Sequence, residues 1–242
     1  MFFRELSILC RRWAIQPPKA LAALVESDCV LCGAMGAGEV CVACVMSLPR
    51  IDSACPRCAL PGRTNETCGA CLRNEPAFDG AVCAFAYGFP LDAMVRRFKY
   101  AGDLAIARWL ALELAARVAG EPAPDVIVVP PSTRARLRER GFNQALELAK
   151  VVARQCGVAL ERDAVERSRE AAVQAGLSRA GRIANLRDTF VCRRSMEGRD
   201  VVVVDDVVTT GATGEAMARA LKAAGAARVR LWAVARTPRP GA

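Results

Sequence analysis

The stretch Val201-Val-Val-Val-Asp-Asp-Val-Val-Thr-Thr-Gly-Ala-Thr213 decides the fold of this chain. Its four consecutive valines predict a buried strand of a parallel sheet, and the strand ends on the carboxylates Asp205 and Asp206. A loop from Thr209 to Thr213 leads into a helical pattern at 215–222. Such a loop offers backbone N–H groups, hydroxyls and the positive end of a helix to a phosphate, while paired carboxylates accept hydrogen bonds from a diol. The segment therefore predicts a ligand that contains both a sugar and a phosphate.

This segment resembles the ribose-5-phosphate-binding motif of type I phosphoribosyltransferases. The resemblance implies that Asp205 and Asp206 are catalytic residues, which hold the ribose hydroxyls of phosphoribosyl pyrophosphate (PRPP). The 5-phosphate would then be bound by the loop that consists of Thr209, Thr210, Gly211, Ala212 and Thr213. The alternative is a strand–loop–helix turn in which the acids only cap the helix, but a cap needs one acid and no Thr-Thr-Gly-Ala-Thr run.

The cysteines form a second pattern, because eight of the 12 occur in four Cys-x-x-Cys pairs. Each pair presents two thiolates from one tight turn, and two pairs complete a tetrahedral zinc site. Disulfides are the alternative, but the absence of a signal peptide favours a reducing compartment and hence metal. Sequential grouping of the pairs is the simplest arrangement, and a cross-brace of the first pair with the third is the other. We therefore predict structural zinc held by Cys29, Cys32, Cys41, Cys44, Cys55, Cys58, Cys68 and Cys71.

Composition excludes several classes of protein. The chain of 242 residues contains no histidine, which excludes Ser-His-Asp triads and HExxH metal sites. Its apolar runs are shorter than the ~20 residues of a membrane span, and residues 1–23 lack the apolar core and cleavage site of a signal peptide. We therefore predict a cytoplasmic protein without a membrane span, which begins with a short amphipathic helix.

A basic segment in the middle of the chain points to a particular family. A predicted buried strand is followed by Pro130-Pro131, four arginines and the motif Arg140-Gly-Phe-Asn-Gln144. This motif resembles the RGFNQ signature of the ComF (ComFC/GntX-like) family, whose members carry a Cys-rich zinc ribbon before a phosphoribosyltransferase-like domain. The segments Phe98–Asp103 and Gln174–Asn185 are similar to two further parts of that family. The resemblance thus covers residues 29–236, which is nearly the whole chain.

The resemblance also implies roles for residues around the ligand. A loop at the carboxyl end of a strand is where ligands bind in open α/β sheets, and its arginines suit a pyrophosphate. We therefore expect a pyrophosphate loop within 130–144 that contains Pro131, Arg138 and Arg140 among the arginines of 134–140. A flexible loop that closes over the site would contain Arg169, Gln174 and Arg182, and a solvated basic linker is the alternative for this stretch.

These segments together predict an α/β fold. We expect a type I phosphoribosyltransferase-like parallel sheet flanked by helices, with a small N-terminal Cys-rich zinc-ribbon module. The predicted divisions are an N-terminal helical segment at 1–26, a double zinc ribbon at 27–76 and a phosphoribosyltransferase-like domain at 77–242.

The resemblance implies two classes of function. As an enzyme, the chain would transfer a phosphoribosyl group from PRPP with release of pyrophosphate, with Mg²⁺ as a cofactor. As a PRPP sensor or a non-catalytic adaptor, it would serve natural transformation, with single-stranded DNA and a helicase-like competence protein as partners. Residues 130–199 favour a polyanion, because they contain 15 basic and 8 acidic side chains in a chain of net charge +9. The aromatic content of 5% argues against intrinsic single-strand binding.

Overall fold

A computed structural model describes residues 28–36, 39–62, 64–168 and 189–239. The chain divides into two compact units, Met1–Met46 and Ser47–Ala242, so the two halves of the cysteine pattern belong to different units. The helix expected at the N-terminus lies outside the described residues. The domain boundaries after residues 26 and 76 therefore remain predictions.

The second unit is built on a parallel sheet of five strands. They are β1 (Gly80–Ala86), β2 (Val126–Val128), β3 (Ala159–Glu161), β6 (Asp200–Val208) and β7 (Arg228–Arg236), in the spatial order β1-β7-β6-β2-β3. Every neighbouring pair is parallel. The four valines at the start of β6 are completely buried, because both faces of this central strand are covered. The parallel sheet that the valine run predicts is thus confirmed.

A separate antiparallel pair joins β4 (Val165–Arg167) to β5 (Phe190–Cys192). In chain order, the described helices are α1 (Val42–Ser47), α2 (Gly69–Arg73), α3 (Leu91–Arg96), α4 (Leu104–Val118), α5 (Arg134–Arg140), α6 (Gln144–Cys156) and α7 (Ala212–Ala223). A short π-helical turn, Arg97–Ala101, continues α3 and ends at Gly102, whose φ is +66°. No helix of these described ranges is long and apolar enough to cross a membrane.

The basic segment differs from its prediction, because Arg134–Arg140 forms a helix where a loop is expected. The hydroxyl of Thr133 caps α5 by accepting a hydrogen bond from the amide of Arg136 at 3.1 Å. Gly141, with φ of +79°, ends the helix in the left-handed conformation that favours glycine. Asn143 then caps α6 at once. The cap at Thr133 and the glycine at the end of α5 explain how a segment without an apolar stripe becomes helical.

Candidate functional site

A small cavity of the second unit opens at the carboxyl edge of the sheet. Its volume is about 300 Å³, and four cations and two carboxylates line it: Lys99, Arg136, Arg140, Arg167, Asp205 and Asp206. The excess of positive charge suits a ligand with several negative charges. The cavity lies at the strand ends, where open α/β sheets bind their ligands.

The acidic pair stands at the carboxyl end of β6. Oδ1 of Asp205 accepts a hydrogen bond from the amide of Asp206 at 2.8 Å, which orients the first carboxylate. Burial, with repulsion from Asp206, raises the pKa of Asp205 to about 7. A carboxyl group with this pKa changes its charge near neutral pH and can accept hydrogen bonds or a proton there.

Lys99, which is not among the predicted site residues, forms an ion pair with Asp206 of the acidic pair. Nζ of Lys99 lies 2.9 Å from Oδ2 of Asp206, and both side chains are more than four-fifths buried. Lys99 comes from the π-helical turn, which precedes β6 by about a hundred residues in the sequence. The signal that could have found it is the segment Phe98–Asp103, which the family resemblance had marked without giving it a role.

The predicted phosphate loop lies directly beside the acidic pair. Thr209 and Thr213 line the cavity. Gly211 occupies the position before α7 with φ of +84°, and the hydroxyl of Thr210 accepts a hydrogen bond from the first amide of the helix, that of Ala212, at 3.3 Å. The following amides of the first turn and its positive dipole end can serve an anion. Thr210, Gly211 and Ala212 lie around a neighbouring cavity on the far side of the loop.

Gly214 sets the distance between α7 and the sheet. A Cβ atom at this position would lie 2.3 Å from Cδ1 of Leu231 on β7, which is far below any normal contact. Only glycine therefore lets the helix pack this closely and hold its N-terminus at the end of β6. This constraint lies one residue beyond the predicted phosphate loop.

The helical structure of α5 determines which of the predicted arginines line the cavity. Arg136 and Arg140 are four residues apart, share one face of the helix and line the cavity together with Pro131. Arg138, which the sequence predicts in the pyrophosphate loop, is exposed and is absent from the cavity wall. The prediction treated this stretch as a loop, and the helical period explains why Arg136 takes the expected place of Arg138.

The remaining polar residues of the Arg140–Gln144 motif fix Arg140 and the turn after β2 by hydrogen bonds. Gln144 is only 4% exposed and its Oε1 accepts a hydrogen bond from Arg140 at 3.1 Å. The amide group of Asn143 donates to the carbonyl of Pro130 at 3.0 Å, which ties α6 to the turn after β2. Nε of Arg140 is buried and has no hydrogen-bond partner within the described ranges. A buried N–H donor without a partner is available for a hydrogen bond to an anionic ligand.

Arg167 enters the cavity from β4, and no sequence motif had marked it. Its Nε donates to the carbonyl of Pro131 at 3.4 Å, and its guanidinium lies 5.1 Å from the ring centre of Phe190. Burial, with repulsion from Arg136, lowers the pKa of Arg167. The three residues predicted for the flexible loop, Arg169, Gln174 and Arg182, lie outside the described residues.

The cysteines assemble into two groups of four. Cys29, Cys32, Cys41 and Cys44 form one group, and Cys55, Cys58, Cys68 and Cys71 form the other; within each group all sulfur atoms lie within 4.8 Å of one another. The sequential grouping is therefore correct, and the structure excludes the cross-brace. The four described pairs form no disulfide.

Both cysteine groups have the features of a zinc site. The Sγ atoms of Cys32 and Cys41 lie 3.6 Å apart, and those of Cys58 and Cys68 lie 3.8 Å apart, which are edges of a tetrahedron with metal–sulfur bonds of about 2.3 Å. The amide of Cys68 donates to Sγ of Cys55 at 3.3 Å, as in knuckles that stabilise thiolates. Burial opposes ionisation of Cys68, yet hydrogen bonds from Cys71 and neighbouring groups lower its pKa to about 6. The residues present thus fit Zn²⁺.

Comparison with known proteins identifies both the cysteine-rich region and the region of the sheet. Residues 20–72 match the family model described as a double zinc ribbon domain, and residues 142–241 match the phosphoribosyl transferase domain. Among solved structures, glutamine PRPP amidotransferase from Bacillus subtilis shares 24% identity over 52% of this chain and 25% of its own, with a TM-score of 0.37. The two family models, together with the parallel sheet and the cysteine groups, define a phosphoribosyltransferase-like protein with an N-terminal Cys-rich zinc ribbon.

The relatives specify the family further. The chain is 36% identical to DNA utilization protein YhgH of Salmonella typhi, over 88% of this chain and 98% of that protein. It is 34% identical to competence protein F of Haemophilus influenzae, over 70% and 78% of the two chains. Competence protein ComFC of Bacillus subtilis shares 28% identity over 76% and 78%. This chain belongs to the ComF family, as its RGFNQ motif had indicated.

Proposed function

We propose that the chain binds PRPP in the cavity at the end of β6 and transfers its phosphoribosyl group with release of pyrophosphate. One observation supports this most strongly. The carboxylate pair, Asp205 and Asp206, and the two ends of the phosphate loop, Thr209 and Thr213, line one small cavity that also contains four cations. A diol acceptor, a phosphate cradle and an excess of positive charge are the three features that a ribose with a phosphate and a pyrophosphate requires.

Each part of PRPP has a matching part of the cavity. Asp205 and Asp206 accept hydrogen bonds from the ribose hydroxyls, and the amides at the start of α7 hold the 5-phosphate. Arg136 and Arg140 line the same cavity with the turn at Pro131, and they would bind the pyrophosphate. Arg167 adds a third guanidinium to this cavity.

The reaction breaks the bond between ribose C1 and the pyrophosphate oxygen, and the bonding electrons leave with the pyrophosphate. A nucleophile bonds to C1 and loses its proton, while the ribose passes through a state of oxocarbenium character. The side chains position the ribose and neutralise the leaving group, and none of them forms a covalent intermediate. Mg²⁺ fits this donor set, since the carboxylates and the ligand offer hard oxygens, and it would neutralise pyrophosphate charge when bound.

Calorimetric titration tests this proposal directly. PRPP with Mg²⁺ is expected to bind the wild type with micromolar affinity, and the double variant Asp205→Ala/Asp206→Ala is expected to lose detectable binding. Asp163→Ala is the matched control, because its carboxylate is 86% exposed and lies outside the cavity wall. Equal binding by the wild type and the double variant would refute the proposed site. If only the double variant loses binding, release of pyrophosphate from PRPP on addition of candidate acceptors tests the transfer reaction.

A second candidate function is an adaptor that handles single-stranded DNA beside a helicase-like partner. Relatives named for DNA utilization and competence favour it. Tyr100 is 64% exposed and stacks on the guanidinium of Arg140, which lies 5.3 Å from its ring centre, so one stacking surface adjoins a basic wall. Phe98 is fully buried and cannot stack on a base.

A salt titration together with a Tyr100 variant tests the second function, because salt reports the phosphate contacts and the variant reports base stacking. If the basic wall binds DNA phosphates, affinity for a single strand should fall steeply as salt increases, and Tyr100→Ala should weaken binding at every salt concentration. The absence of binding by the full chain at low salt would remove the DNA role for the isolated protein.

A further inference from the structure

Arg236 is a buried cation whose described partners are all backbone carbonyls. It ends strand β7, and only 8% of its surface is exposed. Its Nε donates to the carbonyl of Cys58 at 2.9 Å, and its NH1 donates to the carbonyls of Val208 at 3.0 Å, Thr237 at 3.1 Å and Thr209. No carboxylate of the described residues forms a salt bridge with it. A buried guanidinium is costly unless hydrogen bonds satisfy it, so this position needs an explanation.

Through its Nε group, Arg236 contacts the second four-cysteine cluster. Cys58 supplies a sulfur to that cluster and its carbonyl to Arg236. The knuckle around it rests on the sheet, because the amide of Ala81 donates to the carbonyl of Pro56 at 3.1 Å and Arg57 donates to the carbonyl of Asp79 at 2.8 Å. The cluster is thus joined to the ends of β1 and β7 and forms part of the second unit.

Arg236 also contacts the start of the phosphate loop, through its NH1 group. The guanidinium draws the carbonyls of Val208 and Thr209 toward itself. In a trans peptide the following N–H points away from the carbonyl, so the amides of Thr209 and Thr210 are turned from Arg236. Thr209 lines the cavity of the acidic pair, whereas Arg236 and Cys58 line the neighbouring cavity. Phe78 supports the same loop from behind, since its ring lies 3.9 Å from the Cβ position of Gly211.

We propose that Arg236 couples the second four-cysteine cluster to the phosphate loop, so that zinc in this cluster and the 5-phosphate of PRPP strengthen each other's binding. The ligand half of this inference rests on the proposed function. When the cluster holds zinc, the carbonyl of Cys58 is fixed and Arg236 keeps the loop carbonyls away from the cavity. When the cluster is empty, the 55–58 knuckle loses its closure and Arg236 loses a fixed acceptor. By thermodynamic linkage, a bound phosphate must then retain the zinc in return.

The same strand contains a matched control. Arg230 also lies on β7 and is 3% exposed, but it pairs with Asp200 at 2.9 Å and with the carbonyl of Pro122, at the opposite end of the sheet. Both Arg230→Lys and Arg236→Lys keep the charge and remove the planar fork of donors. A general loss of stability would affect both variants, whereas a link to the phosphate loop would affect only Arg236→Lys.

The test measures zinc release into a chromogenic chelator with and without PRPP and Mg²⁺. In the wild type and in Arg230→Lys, PRPP is expected to slow the release of one of two zinc ions at least fivefold. In Arg236→Lys this protection should disappear, and PRPP affinity should fall about tenfold. Cys58→Ser should weaken PRPP binding more than Cys32→Ser, which removes a ligand of the other cluster. Equal protection in both lysine variants would overturn the coupling.

Hydrogen exchange of the amides at 209–213 tests the link without a ligand. These amides should exchange faster in Arg236→Lys and in Cys58→Ser than in Arg230→Lys. If PRPP does not bind the wild type, the proposed function fails, and the exchange comparison still decides whether the cluster and the loop are linked. Unchanged exchange in Arg236→Lys and Cys58→Ser would overturn the coupling.

Discussion

The ammonium of Lys99 lies 2.9 Å from the Oδ2 carboxylate oxygen of Asp206, and both residues line the cavity. This pair joins the π-helical turn to the end of β6 and places a cation beside two neighbouring carboxylates. It thereby reduces the repulsion between Asp205 and Asp206, because the positive charge of Lys99 acts on both. A ribose diol or a metal ion that binds here must share Asp206 with Lys99.

Replacement of Lys99 by methionine should weaken PRPP binding. Without the cation, the two carboxylates repel each other more strongly and the pKa of Asp205 rises further. At pH 7 the expected loss of affinity is about tenfold, which corresponds to one pKa unit of lost interaction. Lys150→Met is the control, since Lys150 is exposed and pairs with Glu147 on α6 outside the cavity wall. Calorimetry should show the loss only for Lys99→Met.

The pH dependence of PRPP binding should follow Asp205. Its pKa is raised to about 7, so the carboxyl group is protonated below this pH and becomes a pure acceptor above it. Affinity for the diol is therefore expected to rise as pH increases from 6 to 8. Asp205→Asn should remove this part of the profile and keep only the titration of PRPP itself. Profiles of identical shape for both proteins would contradict the assignment.

The same carboxyl group should lower the stability of the fold at high pH. Its folded pKa lies above its ordinary value of 3.8, so the folded state holds a proton that the unfolded state releases between these two values. The free energy of unfolding therefore decreases as pH rises toward 7 and stays reduced above it. Asp205→Asn should be more stable than the wild type at pH 8.5, with a smaller difference at pH 5. Thermal melts at the two pH values measure this.

The helical face of α5 gives a test between two arginines of the same segment. Arg136 lines the cavity and Arg138 does not. Arg136→Ala should lower PRPP affinity about tenfold, as expected for a lost charge-assisted hydrogen bond. Arg138→Ala should change affinity by less than about twofold, because an exposed charge outside the cavity acts only through screened attraction. A larger effect of Arg138→Ala would favour an extended loop at this position.

Close packing at Gly214 predicts a large cost for one added methyl group. A Cβ here would overlap Cδ1 of Leu231, so Gly214→Ala must push α7 from the sheet and should cost about 1–3 kcal/mol of unfolding free energy. Gly120→Ala is the control, because nothing lies within 4 Å of its Cβ position. Denaturant unfolding of both variants measures the difference. The shift of α7 should also weaken PRPP binding.

Local signals explain what the sequence could predict. The valine run, the acidic pair and the loop after them are contiguous, and the Cys-x-x-Cys pairs recur at regular spacing, so these elements were predicted with the correct order. Lys99, Arg167 and Arg236 reach their positions through distant strands and turns, and their partners cannot be inferred from spacing. Helix α5 was not predicted because the hydroxyl cap of Thr133 and the left-handed glycine Gly141, rather than an apolar stripe, define its ends.

A crystal structure of the zinc-loaded protein with PRPP and Mg²⁺ would test the central claim most directly. We expect the ribose hydroxyls within hydrogen-bond distance of Asp205 and Asp206, the 5-phosphate on Thr209–Thr213, and the pyrophosphate on the wall that contains Arg136 and Arg140. PRPP bound elsewhere, or in this cavity with its ribose away from both carboxylates, would contradict the account.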